Sequence, residues 1–127
     1  MVYYKKTIVG IPVFGNRVAP RFDCALKMLI LEVENGKLLR QKEITLSWQN
    51  PLSIINQIRS MAVDVLICGA IPCFWMRVLT WHGIKIISWV SGEWQEVLNL
   101  FLKGKLVNGW PWHCQHRRRK RWGYKFN

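Results

Sequence analysis

Apolar and polar positions in the first third of the chain predict three consecutive strands. The continuous apolar run 7–11 is typical of a strand buried on both faces. Two further runs, 27–33 and 37–45, flank Asn35-Gly36. Asn-Gly between such runs is a strong hairpin signal, because both turn residues adopt positive φ. Strand pairing is expected to weaken at Pro12, which lacks an N–H group, and residues 14–25 are expected to form a loop.

The pattern then changes to helices that alternate with short strands. Asn50-Pro51 is typical of a helix N-cap followed by its first residue. Short buried strands are predicted at 64–68 and 84–88, and a second helix between them at 72–82. A third helix is expected to follow, capped by Ser91 and ended by Gly104.

This order of elements predicts an α/β fold of three layers. Right-handed crossovers place the later strands parallel, and the hairpin makes the sheet mixed and five-stranded. The expected strand order is 3-2-1-4-5, with strand 2 antiparallel. Ligands in open α/β sheets bind beyond the carboxyl ends of the strands, where connections leave in opposite directions. The predicted crevice is lined by Phe14, Gly15, Gly69 and Ala70.

Charge divides the chain into two parts. Net charge is +12 over 127 residues, and residues 1–102 hold 11 basic and all 7 acidic residues. We therefore predict a domain over 1–105 and a basic, aromatic-containing tail over 106–127. No run of about 18 apolar residues occurs, and no signal-peptide pattern precedes the first strand. These features predict a cytoplasmic protein without membrane contact.

Motifs of common enzymes are missing from the sequence. GxGxxG, Walker, HExxH and CxxC patterns are absent, and only three histidines occur, so we expect no catalytic activity. Cys68 and Cys73 are expected to pack in the core, whereas Cys24, in a polar loop, is equally compatible with packing and with function. Four of the eight tryptophans are expected to be buried or half-buried: Trp48, Trp81, Trp89 and Trp94.

The tail carries two further candidate sites. His113 and His116 flank Cys114 closely, so this tract is either a weak metal site or incidental. A basic run interleaved with aromatic residues suits either phosphate and base contacts or a solubilising function. The run consists of Arg117, Arg118, Arg119, Lys120 and Arg121.

Four segments together resemble one known family. They are 8–13, 20–25, 64–71 and 89–92, and in order and spacing they are similar to the dinitrogenase iron–molybdenum cofactor biosynthesis family. The resemblance spans roughly residues 6–105. It implies a ribonuclease H-like motif, a connection with nitrogen fixation, and transient binding of iron–sulfur or iron–molybdenum cluster precursors.

The resemblance also implies ligands, with one departure from the family pattern. Many members carry His-Phe-Gly in the first long loop, where this chain has Arg21-Phe22-Asp23. A similar subgroup pairs a loop cysteine with a cysteine before a C-terminal arginine run, a pattern that Cys24 and Cys114 match. The resemblance therefore implies Cys24 and Cys114 as cluster ligands. In the same predicted cluster-binding site, Arg21 and Arg17 would offset the negative charge of a cluster, and Asp23 would either point away from it or itself coordinate.

The leading hypothesis is a non-catalytic protein that binds or carries cluster precursors during metallocluster assembly. Its partners would be assembly proteins or a recipient apoprotein. Two alternatives stay open: a nucleic-acid-binding module that acts through the basic tail, and an interaction domain without a cluster.

Overall fold

The computed structural model describes residues 6–109. It contains the five predicted strands, the three predicted helices and one additional short strand. The strands are β1 (Thr7–Phe14), β2 (Arg17–Val18), β3 (Lys27–Glu34), β4 (Lys37–Thr45), β5 (Val65–Ile67) and β6 (Lys85–Ile87). The helices are α1 (Pro51–Ser60), α2 (Cys73–Trp81) and α3 (Trp94–Leu102), and Phe22–Cys24 forms a turn of 3₁₀ helix.

All six strands form one mixed sheet. Its order is β4-β3-β1-β5-β6, and β2 pairs with β1 beside this path. β3 is antiparallel to β1 and β4, whereas β1, β5 and β6 are mutually parallel. The predicted α/β class and the antiparallel second strand are confirmed, and the predicted order differs by the additional strand β2.

Helices cover both faces of the sheet, which gives three layers. α1 and α2 pack on one face through a core that includes Ile54, Ile58 and Leu79. α3 covers the other face through Val97 and Phe101. Successive side chains of a strand point to opposite faces, so β1 contributes to both cores, and this explains its continuous apolar run.

The β3–β4 hairpin forms at the predicted turn. Asn35 and Gly36 have φ values of 54° and 76°, and Glu34 pairs with Lys37 across the turn. Two consecutive positive φ values are the signature of a type I′ turn, whose twist matches the flanking strands.

β1 continues past Pro12, contrary to the expectation that pairing weakens there. Pro12 lies opposite Met28 of β3, and its carbonyl accepts a hydrogen bond from the N–H of Ala19 at 2.8 Å. The N and the carbonyl of one strand residue point to the same side. The missing N–H of Pro12 therefore faces the β2 side, and the ladder to β3 loses no hydrogen bond.

The segment 14–25 is more regular than the predicted loop. Phe14 pairs with Arg17, and Gly15 has a φ of 64°, so Gly15-Asn16 forms a tight hairpin between β1 and β2. Gly-Asn between two residues that pair is itself a hairpin signal. The apolar stretch after the turn is so short that the pattern did not indicate a strand.

The start of α3 also differs from the prediction. Glu93, not Ser91, occupies the N-cap position, and no side chain there caps the helix. The carbonyl of Glu93 accepts a hydrogen bond from the N–H of Val97. The backbone of Glu93 also pairs with that of Arg17 in an isolated antiparallel β-bridge. Strand-like pairing of 92–93 with β2 therefore delays the helix until Trp94.

Within the part of the chain that the structure describes, no helix is long and apolar enough to cross a membrane.

We expect Asn50→Ala to lower the free energy of unfolding by about 1 kcal/mol. The side chain of Asn50 accepts a hydrogen bond from the N–H of Ser53 at 2.9 Å, and alanine leaves that donor without this partner. Chemical denaturation measures the change. Asn56→Ala, on the exposed face of the same helix, is the matched control and should leave stability unchanged or slightly raised, since alanine favours helix. Equal losses in the two variants would contradict a capping role.

Candidate functional site

The segment after β1 crosses the carboxyl end of the parallel strands. Its first part is held between β1 and the segment before α3. The N–H of Val18 donates to the carbonyl of Gly92 at 2.9 Å, and the N–H of Trp94 donates to the carbonyl of Asn16 at 3.0 Å. Backbone pairing on both sides therefore fixes β2 across this end of the sheet.

The second part of the segment lies against Gly69, directly after β5. The N–H of Ala70 donates to the carbonyl of Pro20 at 2.8 Å, and the N–H of Phe22 donates to the carbonyl of Ala70 at 2.8 Å. A Cβ atom on Gly69 would lie 2.5 Å from the carbonyl oxygens of both Ala19 and Pro20. The two predicted walls of the crevice are thus in direct contact here, and Gly69 is buried beneath the loop.

Phe22 anchors the turn that follows. Its side chain is fully buried, and its ring packs edge-on against Trp48 and Trp75, both at 5.5 Å between centroids. The indole N–H of Trp48 donates to the carbonyl of Ala25, which closes the far side of the turn. Because Phe22 points inward, its neighbours Arg21 and Cys24 lie exposed at the surface.

Arg21 and Asp23 form a bidentate ion pair on this turn. Nε and Nη2 of Arg21 donate to the two carboxylate oxygens of Asp23, each at 3.0 Å. These hydrogen bonds hold the pKa of the Asp23 carboxyl below its ordinary value, although partial burial opposes the effect. The Asp23 carboxylate therefore stays ionised, and its negative charge and the positive charge of Arg21 largely offset each other. Arg17 has no acidic partner within residues 6–109.

The three described cysteines differ in exposure. Cys24 and Cys73 are exposed, and Cys68 is buried. The packing predicted for Cys68 is confirmed, and burial raises the pKa of its thiol to about 12. The packing predicted for Cys73 is wrong, because the inward positions of α2 are taken by Trp75 and Leu79.

The described residues bring together part of the predicted ligand set. Arg21, Asp23 and Cys24 lie on one turn, and the backbone of Arg21 pairs with that of Ala70 in an isolated parallel β-bridge. Phe14 and Gly15 lie with Arg17 at the β1–β2 hairpin. Among residues 6–109, no three His, Cys, Asp or Glu side chains come close enough to hold one metal ion. Several predicted site residues lie outside the described residues, and their roles stay predictions: His113, Cys114, His116, Arg117, Arg118, Arg119, Lys120 and Arg121.

Trp89 lies at this end of the sheet and is exposed, so the burial predicted for it is wrong. It is 62% exposed, although it was expected to be at least half-buried. Its φ is 61°, which is rare for a bulky side chain, and its N–H donates to the carbonyl of Gly69 at 2.9 Å. Strained residues of this kind cluster at functional sites. The sequence signal that could have indicated a site residue here is the position of Trp89 immediately after the predicted strand at 84–88.

An open groove of about 490 Å³ lies on the other face of the sheet, beside α3. It lies between that helix and the β3–β4 hairpin, and it contains none of the predicted site residues. Its polar lining includes Lys37, Gln41 and Asn99, and its apolar lining includes Leu38 and Leu98.

The fold and this end of the sheet define a class of protein: a small three-layer α/β domain whose first loop displays a thiol and two arginines at the carboxyl ends of the parallel strands. The model of the family described as dinitrogenase iron-molybdenum cofactor matches residues 5–104. The chain belongs to this family, as the sequence resemblance predicted.

Three individual proteins are similar to the chain in sequence or in fold. An uncharacterized protein of Methanocaldococcus jannaschii, MJ0580, is 27% identical over 103 residues, which cover 77% of this chain and 87% of that protein. The crystal structure of PH0822 superposes with a TM-score of 0.76 at 17% identity, covering 84% of this chain and 97% of that one. The structure of the apo form of the orange protein from Desulfovibrio gigas superposes with a TM-score of 0.66 at 16% identity, covering 82% of this chain and 93% of that one. These two solved structures share the fold.

We expect Arg21→Gln to raise the pKa of the Asp23 carboxyl toward its ordinary value, because the charged hydrogen bonds that lower it are lost. In the parent, the stability that this pair contributes is present above the ordinary carboxyl pKa. It is lost as the pH falls through the lowered value of the folded state. Carbon-13 NMR titration of the carboxyl group measures the shift. Arg17→Gln is the control and should leave the Asp23 titration unchanged; a shift of similar size there would rule out the specific pair.

We expect Gly69→Ala to lower the free energy of unfolding by about 2 kcal/mol or more, because the new methyl group meets backbone atoms that cannot move independently. Gly10→Ala is the matched buried control. There the nearest atoms are the Met28 sulfur at 3.2 Å and a Val63 methyl group at 3.4 Å, which are side-chain atoms and lie farther away than the two carbonyl oxygens at Gly69. Denaturation of both variants compares the costs, and a loss at Gly69 no larger than that at Gly10 would contradict the tight docking of the loop.

Proposed function

We propose that the protein is a non-catalytic binding or carrier protein for iron–sulfur or iron–molybdenum cluster precursors in metallocluster assembly. One observation carries the proposal. Cys24 lies exposed on a loop that is fixed against the carboxyl ends of the parallel strands, in a chain that belongs to the iron–molybdenum cofactor family.

The position of Cys24 supports a ligand role. The residue ends the 3₁₀ turn, which is held from below by the buried ring of Phe22 and alongside by Ala70. A thiol on a fixed turn loses little conformational freedom when it binds a metal, and thiolate is a preferred ligand of iron–sulfur clusters. Burial, which explains Cys68, does not explain a thiol that is exposed.

The charges on the segment that carries Cys24 also support an anionic cargo. The Asp23 carboxylate faces the Arg21 guanidinium, so it repels a neighbouring thiolate or sulfide less than a free carboxylate would. Arg17 adds an exposed positive charge from β2. Opposite charges favour the encounter and lower the energy of a bound anion.

In this proposal Cys24 supplies one thiolate and Cys114 supplies the second. The remaining coordination comes from the cargo itself, or from an assembly protein or recipient apoprotein during transfer. A cargo held by few protein ligands dissociates readily, as a carrier requires.

The test is Cys24→Ser, which we expect to abolish iron retention after anaerobic reconstitution while stability stays close to that of the parent. The thiolate is lost, but an exposed turn residue contributes little to the core. Iron analysis and the visible absorption spectrum measure retention, and denaturation measures stability.

Two other cysteines give matched controls. Cys73→Ser removes a second exposed thiol and should leave iron retention unchanged. Cys68→Ser places a hydroxyl in the core and should lower the free energy of unfolding by about 1–3 kcal/mol without loss of iron. Iron retained by Cys24→Ser at the parental level would exclude Cys24 as a ligand, and a parent protein that retains no iron would contradict the carrier function.

A further inference from the structure

Trp89 is held outward in a strained conformation at the end of the sheet that carries the first loop. Its ring is exposed, although its positive φ is rare for a bulky side chain. Backbone hydrogen bonds on both sides of the residue fix this conformation. The N–H of Trp89 donates to the carbonyl of Gly69 at 2.9 Å, and the N–H of Val90 donates to the carbonyl of Cys68 at 3.0 Å. Burial within the domain does not explain a large apolar ring that the backbone holds in solvent.

Three backbone segments lie side by side at this end and form a strip, which consists of residues 88–89, 69–70 and 20–21. Trp89 joins the first segment to the second. The N–H of Ala70 donates to the carbonyl of Pro20 at 2.8 Å, and Ala70 forms a β-bridge with Arg21, so the second segment is joined to the third. Trp89 and Pro20 are exposed and Ala70 is half-buried, so the strip presents apolar side chains to solvent. It ends at the turn that carries Cys24.

The chain leaves the described part of the structure beside this strip. The N–H of Ser88 donates to Oδ1 of Asn108 at 2.9 Å, and the N–H of Gly109 donates to the carbonyl of Ser88 at 2.9 Å. Gly109 is therefore paired with the outer segment of the strip. The residues that follow it in the sequence are Trp110-Pro111-Trp112, which carry two indole rings and a proline ring.

The length of the segment 110–114 matches the length of the strip. Paired backbone segments are about 4.8 Å apart, and three such steps separate Gly109 from Arg21, which gives a distance of about 14 Å. Five extended residues span at most about 17 Å. A chain that follows the strip from Gly109 therefore brings Cys114 to the turn that carries Cys24.

Charge distinguishes the part of the tail that suits this strip. Residues 110–116 contain no Lys, Arg, Asp or Glu, so their contact with the strip removes no formal charge from water. The run 117–121 is entirely basic, and Arg17, exposed at the same end of the sheet, would repel it. The apolar segment next to Gly109 is therefore the suitable occupant.

We propose that the segment 110–114 docks along this strip and that its two tryptophans pack on Trp89 and Pro20. The basic run beyond it stays in solvent. This contact covers the ring of Trp89, which gives the strained outward conformation a function. The docking requires no cluster, so its test can fail while cluster binding stands. Where both hold, the docked segment brings Cys114 to Cys24.

The test uses the metal-free, full-length protein labelled with nitrogen-15. We expect Trp110→Ala and Trp112→Ala each to shift the indole N–H resonance of Trp89 and the amide resonance of Ala70, because each variant removes a ring that lies against the strip. Trp89→Ala should move the indole resonances of Trp110 and Trp112 toward those of solvent-exposed indoles. Amide resonances elsewhere in the domain should keep their parental positions, which shows that each variant is folded.

A nitroxide attached to Cys114 reports on the path of the segment. It is attached to the full-length Cys24→Ser/Cys73→Ser variant, whose one other cysteine is buried in the core and does not react. We expect the nitroxide to broaden the amide resonance of Arg21 strongly and that of Gly36, at the opposite end of the sheet, much less.

Two variants and one mixed sample serve as controls. Trp81→Ala removes an exposed tryptophan at the far end of α2, and Trp122→Ala removes a tryptophan beyond the basic run. Both should leave the Trp89 resonance unchanged. Three results would overturn the proposal: no shift of the Trp89 resonance in either variant of the segment, an equal shift in Trp122→Ala, or broadening of the strip in a mixture of spin-labelled and nitrogen-15-labelled chains, which would mean docking on a second copy.

Discussion

The contact of the first loop with Gly69 is the constraint on which this end of the molecule depends. A side chain at Gly69 would collide with the carbonyls of Ala19 and Pro20, so only glycine allows the loop to pair with Ala70. That pairing seats Phe22 against Trp48 and Trp75, and an inward Phe22 leaves Arg21, Asp23 and Cys24 outside. The exposure of the Cys24 thiol is therefore a consequence of the backbone contact between this loop and Gly69.

Much of the fold follows from local sequence signals. Asn35-Gly36 specifies the hairpin because both residues must adopt positive φ, and Asn50-Pro51 specifies the start of α1 because the side chain and the ring each satisfy a requirement of a helix end. The parallel order follows from the crossovers. β2 is the exception, since two residues are too few to show a period, and the start of α3 is another, because it responds to pairing with β2.

The candidate site was predictable only in part, since its geometry is set by contacts between distant segments. The sequence places Cys24 and Arg21 in one loop and Gly69 after a strand, which predicts their proximity. It does not show that the loop fills the crevice at Gly69. That close contact is possible only because Gly69 has no Cβ atom where the carbonyls of Ala19 and Pro20 approach it. The exposure of Trp89 and Trp81 was also missed, because tryptophan is apolar and composition alone favours burial.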